Sequence, residues 1–255
     1  MLLTRSTRIC LPTNGIAPTR VGNALEGRNS PEEWVFTTEF EVTLSGNADP
    51  TTGYIVGIQH IDAAVRSEAP PLIVKALAEG KPPASILVDL QERLEFILAL
   101  PVTRLLLRQH SFSSIAIETT MQNQAILTQR FDFSASHRLH CPSLDDATNA
   151  RVFGKCNNPA GHGHNYRLEV EVIVPLAQTL RCEDLDRLIR EHAIDRLDHK
   201  HLNSDVPEFR SANPSVETIA KVCFEWLGQP IATVGGSLRR VRLWETEKTS
   251  AIYPE

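Results

Sequence analysis

The chain has 255 residues, 42% apolar and 22% charged, with a net charge of −5 at pH 7. That is an ordinary globular mixture, long enough for two domains of roughly 100 to 150 residues, and it excludes a disordered chain. No Lys/Arg block marks a nucleic-acid footprint, no run approaches the ~18 apolar residues of a membrane span, and five scattered cysteines without a C-x-x-C pair suit a reduced, cytoplasmic protein.

Residues 1–30 are rich in turn formers, with a first strand expected at Thr7–Leu11. From Val35 to Leu44 apolar and polar residues alternate, which predicts a half-buried strand. A turn at Asp49–Gly53 precedes a helix over His60–Arg66 that resumes after Pro70-Pro71. A second helix is expected over Ser85–Leu98, then strands over Val102–Gln109 and Ser113–Glu118. The same order then recurs. Leu127–His137 reads as a strand, and Tyr166–Val174 alternates with Tyr166, Leu168, Val170, Val172 and Val174 on one face. From Glu183 to Leu197, Leu185, Leu188, Ile189 and Leu197 fall at helical spacing behind an acidic first turn. Asn213-Pro214 reads as the N-cap and first position of another helix. It carries Val216, Ile219, Val222, Cys223, Trp226 and Leu227 inward and stops at Gly228. Strands at Ser237–Glu245 and Thr249–Tyr253 close the pattern. The expected fold class is α+β, two ββααββ units in tandem over residues 1–122 and 123–255.

Two stretches hold the residues with chemistry. One is Phe131-Asp-Phe-Ser-Ala-Ser-His-Arg-Leu139; the other is Gly154-Lys-Cys-Asn-Asn-Pro-Ala-Gly-His-Gly-His-Asn-Tyr166. His162 and His164 stand at i and i+2, so on a strand both imidazoles point to one face and can reach one metal. Alone, such a pair is more often a solvated strand edge, and a lone histidine such as His137 is more often structural. Together, these strings closely resemble the 6-pyruvoyltetrahydropterin synthase family, over essentially the whole C-terminal half.

The resemblance implies a tandem tunnelling fold, with sheets closed into a barrel by association, and hence a homo-oligomer, a homotrimer being favoured. It implies Zn²⁺ held by His137, His162 and His164, a three-imidazole set that leaves a position for substrate oxygens. Cys156 would be the proton-abstracting group, helped toward thiolate by the metal and Lys155. Asp198-His199, in Leu197-Asp-His-Lys-His-Leu-Asn203, would relay protons. Glu245, in Leu243-Trp-Glu-Thr-Glu-Lys-Thr-Ser250, would hold the pterin's amino-pyrimidine edge, with Glu217 a second pocket carboxylate that is equally readable as a first-turn helix residue. Arg138, Lys155, Arg167 and Lys248 are candidate partners of a triphosphate, and His201 is given no role. The implied reaction converts 7,8-dihydroneopterin triphosphate to 6-carboxy-5,6,7,8-tetrahydropterin, on a route to deazapurine nucleosides such as queuosine, with loss of triphosphate and acetaldehyde. The alternative is 6-pyruvoyltetrahydropterin, formed by triphosphate elimination only. Two weaker alternatives are a pterin-binding or assembly protein without activity and a zinc hydrolase. The hydrolase lacks a carboxylate beside His-Gly-His to act as base. The N-terminal copy reads as degenerate. Residues 28–35 offer nothing to replace His162 and His164, Gln109 stands where the other copy has Glu245, and residues 80–85 hold no Asp-His pair.

Overall fold

The computed structural model describes residues 1–12, 35–176 and 180–255. Residues 28–34, where no counterpart of the His-Gly-His pair is expected, lie outside the described residues. The chain divides into two compact units, one of Met1–Leu127 with Pro175–Thr179 and one of Thr128–Val174 with Leu180–Glu255. The division falls at Leu127/Thr128, inside a strand, where the sequence pattern places it at 122/123.

The first unit contains β1 (Leu2–Pro12), β2 (Val35–Ser45), α1 (Ile58–Glu79), α2 (Pro83–Leu98), β3 (Val102–His110) and β4 (Ser113–Glu118). Its strands are antiparallel in the order β1-β2-β3-β4. Alternation along β2 sends Phe40, Val42 and Leu44 into the core, fully buried like Ile61 and Val65 of α1 and Leu87, Leu90 and Leu94 of α2. The expected break at Pro70-Pro71 does not occur, and α1 runs through both prolines. Each proline forfeits a backbone donor, but Ala69, Leu72, Ile73 and Ala76 around them are buried, and this apolar stripe holds the helix to Gly80. There the backbone turns left-handed, φ 63°, and the Gly80 N–H bonds the last carbonyls.

A buried ion pair ties α1 to β1. Asp62, 6% exposed, accepts from the Arg5 guanidinium at 2.9 and 2.7 Å and from Thr7 Oγ1 at 2.7 Å. Burial by itself would raise the Asp62 carboxyl, but the Arg5 and Thr7 bonds, with the Arg5 and Arg66 charges, outweigh it and hold it below the usual range. Asp62→Ala strands Arg5 and Thr7 and is expected to cost on the order of 3 kcal/mol at pH 7. Because the folded carboxyl is depressed, its contribution is present above the unfolded value of ~3.9 and fades as pH falls through the folded one. Urea unfolding of wild type and variant should therefore show a wide gap at neutral pH that narrows in acid; a gap independent of pH would refute the assignment.

The second unit holds β5 (Gln124–His137, which begins in the first), α3 (Asp146–Phe153), a 3-10 turn (Gly154–Asn157) and β6 (His162–Pro175). Next comes α4 (Cys182–Ile189), continued through a π turn (Arg190–Ile194) into α5 (Asp195–Leu197). The unit ends with β7 (Lys200–His201), α6 (Leu202–Asp205), a 3-10 turn (Pro207–Phe209), α7 (Val216–Thr233), β8 (Ser237–Thr246) and β9 (Thr249–Tyr253). The strand order is β5-β6-β8-β9, with β7 lying parallel beside Ala135 and Ser136 of β5. The predicted inward residues of β6, α4 and α7 are buried, Trp226 excepted. Trp226 is half-buried, with the Arg196 guanidinium 3.5 Å above its ring and its Nε1 donating to Glu208 at 2.9 Å. Two helix ends differ from expectation. Ser215, not Asn213, caps α7, its hydroxyl accepting from the Thr218 N–H. At the other end the helix passes Gly228 to Thr233, because Ile231 is fully buried and extends the apolar face. No helix among the described residues is long and apolar enough to cross a membrane.

Candidate active site

Alternation along β5 buries Phe131, Phe133 and Ala135 and ends by delivering His137 to the same core face, fully buried. On β6, His162 and His164 precede buried Tyr166 on one face. The three imidazoles converge. Ring centroids lie 4.6, 5.1 and 4.7 Å apart, and one nitrogen from each ring lies within 4.8 Å of the others. His137 Nδ1 lies 2.7 Å from the Pro214 carbonyl, which can only accept, so Nδ1 carries the hydrogen and Nε2 presents its lone pair. That Nε2 is 3.2 Å from His162 Nε2. Burial pushes His137 down to about 4, opposed by the Pro214 bond and reinforced by the neighbouring imidazoles. Burial lowers His164 as well, with Glu245 pulling the other way. Burial thus favours the neutral, lone-pair-bearing form of His137 and His164.

The donor set fits a metal ion. His164 Nε2 is buried without a partner, a cost that a cation at the centre of the cluster removes. The 3.2 Å nitrogen separation is close to that between ligands ~2.0–2.1 Å from a tetrahedral ion. Glu245 stands at the opening, one carboxylate oxygen 3.5 Å from His137 Nε2 and 3.7 Å from His164 Nε2. Gly161, φ 72°, lets the chain pass close beneath, since a Cβ there would come within 2.9 Å of the His137 carbonyl oxygen.

Cys156 sits half-exposed on the 3-10 turn, which is fastened to the residues following His137. The Leu139 N–H donates to the Cys156 carbonyl at 2.9 Å, and the Arg138 guanidinium donates to Asn157 O at 3.1 Å and Oδ1 at 3.2 Å. Tyr166 stacks on Phe133, and its hydroxyl is buried without a partner. Burial raises its ionisation, and the Glu245 and Cys156 charges add to that, so both acidic groups lie in its neighbourhood. Of the remaining cysteines, Cys223 is fully buried, its thiol pushed up to about 12.

Asp198 and His199 lie elsewhere in the chain, against Ser134 of β5. The Ser134 N–H donates to Asp198 at 2.9 Å, and the His199 N–H donates to the Ser134 carbonyl at 2.7 Å. The Ser134 bond, helped by His199, holds the Asp198 carboxyl below its ordinary range. His199 Nδ1 is 2.8 Å from Asp198 Oδ2, its backbone is left-handed at φ 58°, and its side chain is 83% exposed. That conformation is uncommon for a residue with a Cβ, and here it aims the ring outward. Glu217 is exposed in the first turn of α7, without a hydrogen bond to any of these groups. Among the cations, Arg138 is engaged on Asn157, Arg167 grips Asp132 at 2.7 and 3.2 Å, and Lys155 and Lys248 are exposed. The fold thus gathers His137, His162, His164 and Glu245, with Cys156 on the adjoining turn, and leaves the Asp-His pair and Glu217 outside the cluster. Sequence reading misses the Pro214 carbonyl and the Arg138–Asn157 clamp. A proline just ahead of a helix cap is the only trace of the first.

The profile described as 6-pyruvoyl tetrahydropterin synthase matches residues 126–255, which spans every residue of this site. The chain belongs to the 6-pyruvoyl tetrahydropterin synthase family. It is similar to the human 6-pyruvoyl tetrahydrobiopterin synthase, 38% identical over 134 residues, 51% of this chain and 91% of that one. The Drosophila melanogaster protein of that name is 45% identical over 105 residues, 40% of this chain and 62% of its own. A solved structure of the Caenorhabditis elegans 6-pyruvoyl tetrahydropterin synthase aligns with 33% identity and a TM-score of 0.48, over 51% of this chain and 94% of that one. Membership in the 6-pyruvoyl tetrahydropterin synthase family makes this chain a phosphate-eliminating lyase that processes a pterin.

Proposed function

We propose that the C-terminal unit eliminates triphosphate from 7,8-dihydroneopterin triphosphate, with Zn²⁺ as the metal and 6-pyruvoyltetrahydropterin as the product. The observation that carries the reading is the cluster of three imidazoles with an orphaned, buried nitrogen and a carboxylate at its opening. Bound zinc would supply Lewis-acid polarisation of the substrate's side-chain oxygens. Glu245 accepts two N–H bonds from the amino-pyrimidine edge and fixes the ring, with Glu217 a further contact from α7. Cys156, on a turn clamped by Leu139 and Arg138, takes a proton from the side chain. Asp198 orients His199 for proton return. Retention of the three-carbon side chain is favoured by the relatives' shared name over the carboxy product expected from sequence; both reactions share the steps assigned to these residues. Incubation of the purified protein with the triphosphate and determination of the product mass separates them, and recovery of unchanged substrate would defeat both.

The N-terminal unit we read as a second copy of the same fold, without a metal site. One zinc ion per chain is therefore expected by elemental analysis. A chelator should abolish turnover and Zn²⁺ should restore it, whereas two tightly bound ions per chain would overturn the assignment of a single site.

A further inference from the structure

A cavity of about 360 Å³ opens between the segment after His137 and the loop that leads into α7. Its lining includes Arg138, His140, His201 and Arg210 and no carboxylate, in a chain whose net charge is −5. Arg138, His140 and His201 are held by hydrogen bonds. Arg138 bonds only neutral acceptors, so its charge is not cancelled, and no ion pair engages Arg210 among the described residues. His140 Nδ1 lies 3.0 Å from Asn157 Oδ1 and His201 Nδ1 3.2 Å from Ser204 Oγ, which leaves both Nε2 atoms for a ligand. The backbone beneath is fixed by asparagines. Asn203 bonds both the N–H and the carbonyl of Arg138, and Asn213 accepts from the His140 N–H. Three fixed cationic or protonatable groups, with the Arg210 guanidinium beside them around one hollow, suit a multiply charged anion with several acceptor oxygens.

The cavity adjoins the metal cluster. His201 packs toward the His137 backbone across Gly161, where an added Cβ would lie 2.9 Å from the His137 oxygen and 3.2 Å from His201 Nε2. Arg138 follows His137 directly in the chain, and its clamp on Asn157 reaches the residue after Cys156. We propose that this cavity, centred on Arg138, His140, His201 and Arg210, binds a polyphosphate. Resting on the function proposed above, it is the seat of the substrate's triphosphate arm, which extends from the side chain held at the metal. The choice departs from the candidates drawn from sequence: of those four only Arg138 lines the cavity, while Arg167 is committed to Asp132.

Titration of the metal-loaded protein with inorganic tripolyphosphate by calorimetry tests this without any pterin. Arg210→Ala and His140→Ala should each weaken binding about tenfold, the loss of one charge-assisted contact. Lys81→Ala, an equal charge change in the other unit, should leave it unchanged. In turnover, Arg210→Ala should raise KM about tenfold with kcat preserved, and dephosphorylated dihydroneopterin should bind wild type and variant alike. Binding of tripolyphosphate that ignores Arg210→Ala would place the anion on the metal and overturn the proposal, as would no binding at millimolar concentration. If tripolyphosphate instead binds through Arg210 and His140 while dihydroneopterin triphosphate is not turned over, the cavity stands as a polyphosphate site and the assigned reaction falls.

Discussion

Cys156→Ala is expected to keep its metal and its affinity for the pterin while turnover drops by ~10² to 10⁴, the usual cost of removing a general base. The expectation follows from where the residue sits. The three imidazoles supply nitrogens within 4.8 Å of one another without help from sulfur, so the metal does not depend on Cys156. The thiol rides a 3-10 turn anchored through its own carbonyl and through Asn157, contacts that alanine preserves. Elemental analysis and pterin binding should match wild type, and only kcat should fall. Zinc missing from the variant would move Cys156 into the ligand set, and undiminished turnover would remove it from the mechanism.

A comparable loss is expected for His199→Ala, and here the informative experiment is a mixture. Within one chain His199 is 83% exposed and held against Ser134 in a left-handed conformation, and among the described residues no hydrogen bond joins it to the imidazole cluster. An acid-base pair presented to solvent in this way suits a neighbouring chain's metal and cysteine better than its own. If sites form between chains of a cyclic homotrimer, Cys156→Ala and His199→Ala chains, each inactive, should recover activity when unfolded and reassembled together. By chance pairing around the ring, roughly a quarter of the sites would join an intact cysteine to an intact histidine. Proven subunit exchange without recovered activity, or an active monomer by light scattering, would exclude this arrangement.

Most of the element order was legible because it rests on local alternation and helical spacing. Tyr166 to Val174, Leu185 to Leu197 and Val216 to Leu227 declare their buried faces in the sequence, and the structure buries them with only Trp226 held back. Local rules failed where burial outweighed them. Pro70-Pro71 reads as a break and Gly228 as a stop, yet Leu72 with Ile73 and Ile231 draw the chain through both. Asn213-Pro214 reads as a cap and first turn, but Ser215 takes the cap, which frees the Pro214 carbonyl to fix the His137 tautomer.

By itself the sequence determined the fold class, the metal-ligand candidates and the family, because His137, Cys156, His162, His164 and Glu245 stand in strings whose order and spacing are properties of the chain alone. Only the tertiary structure decided how they meet: that Glu245 reaches the imidazoles from β8, that Asp198-His199 is fastened to Ser134 with its ring exposed, and that Arg138, His140, His201 and Arg210 surround one hollow. The reason is that each of these relations joins segments dozens of residues apart. Strand register, the position of a helix cap and the sign of one backbone angle set them, and none of these is written in the spacing of residues along the chain.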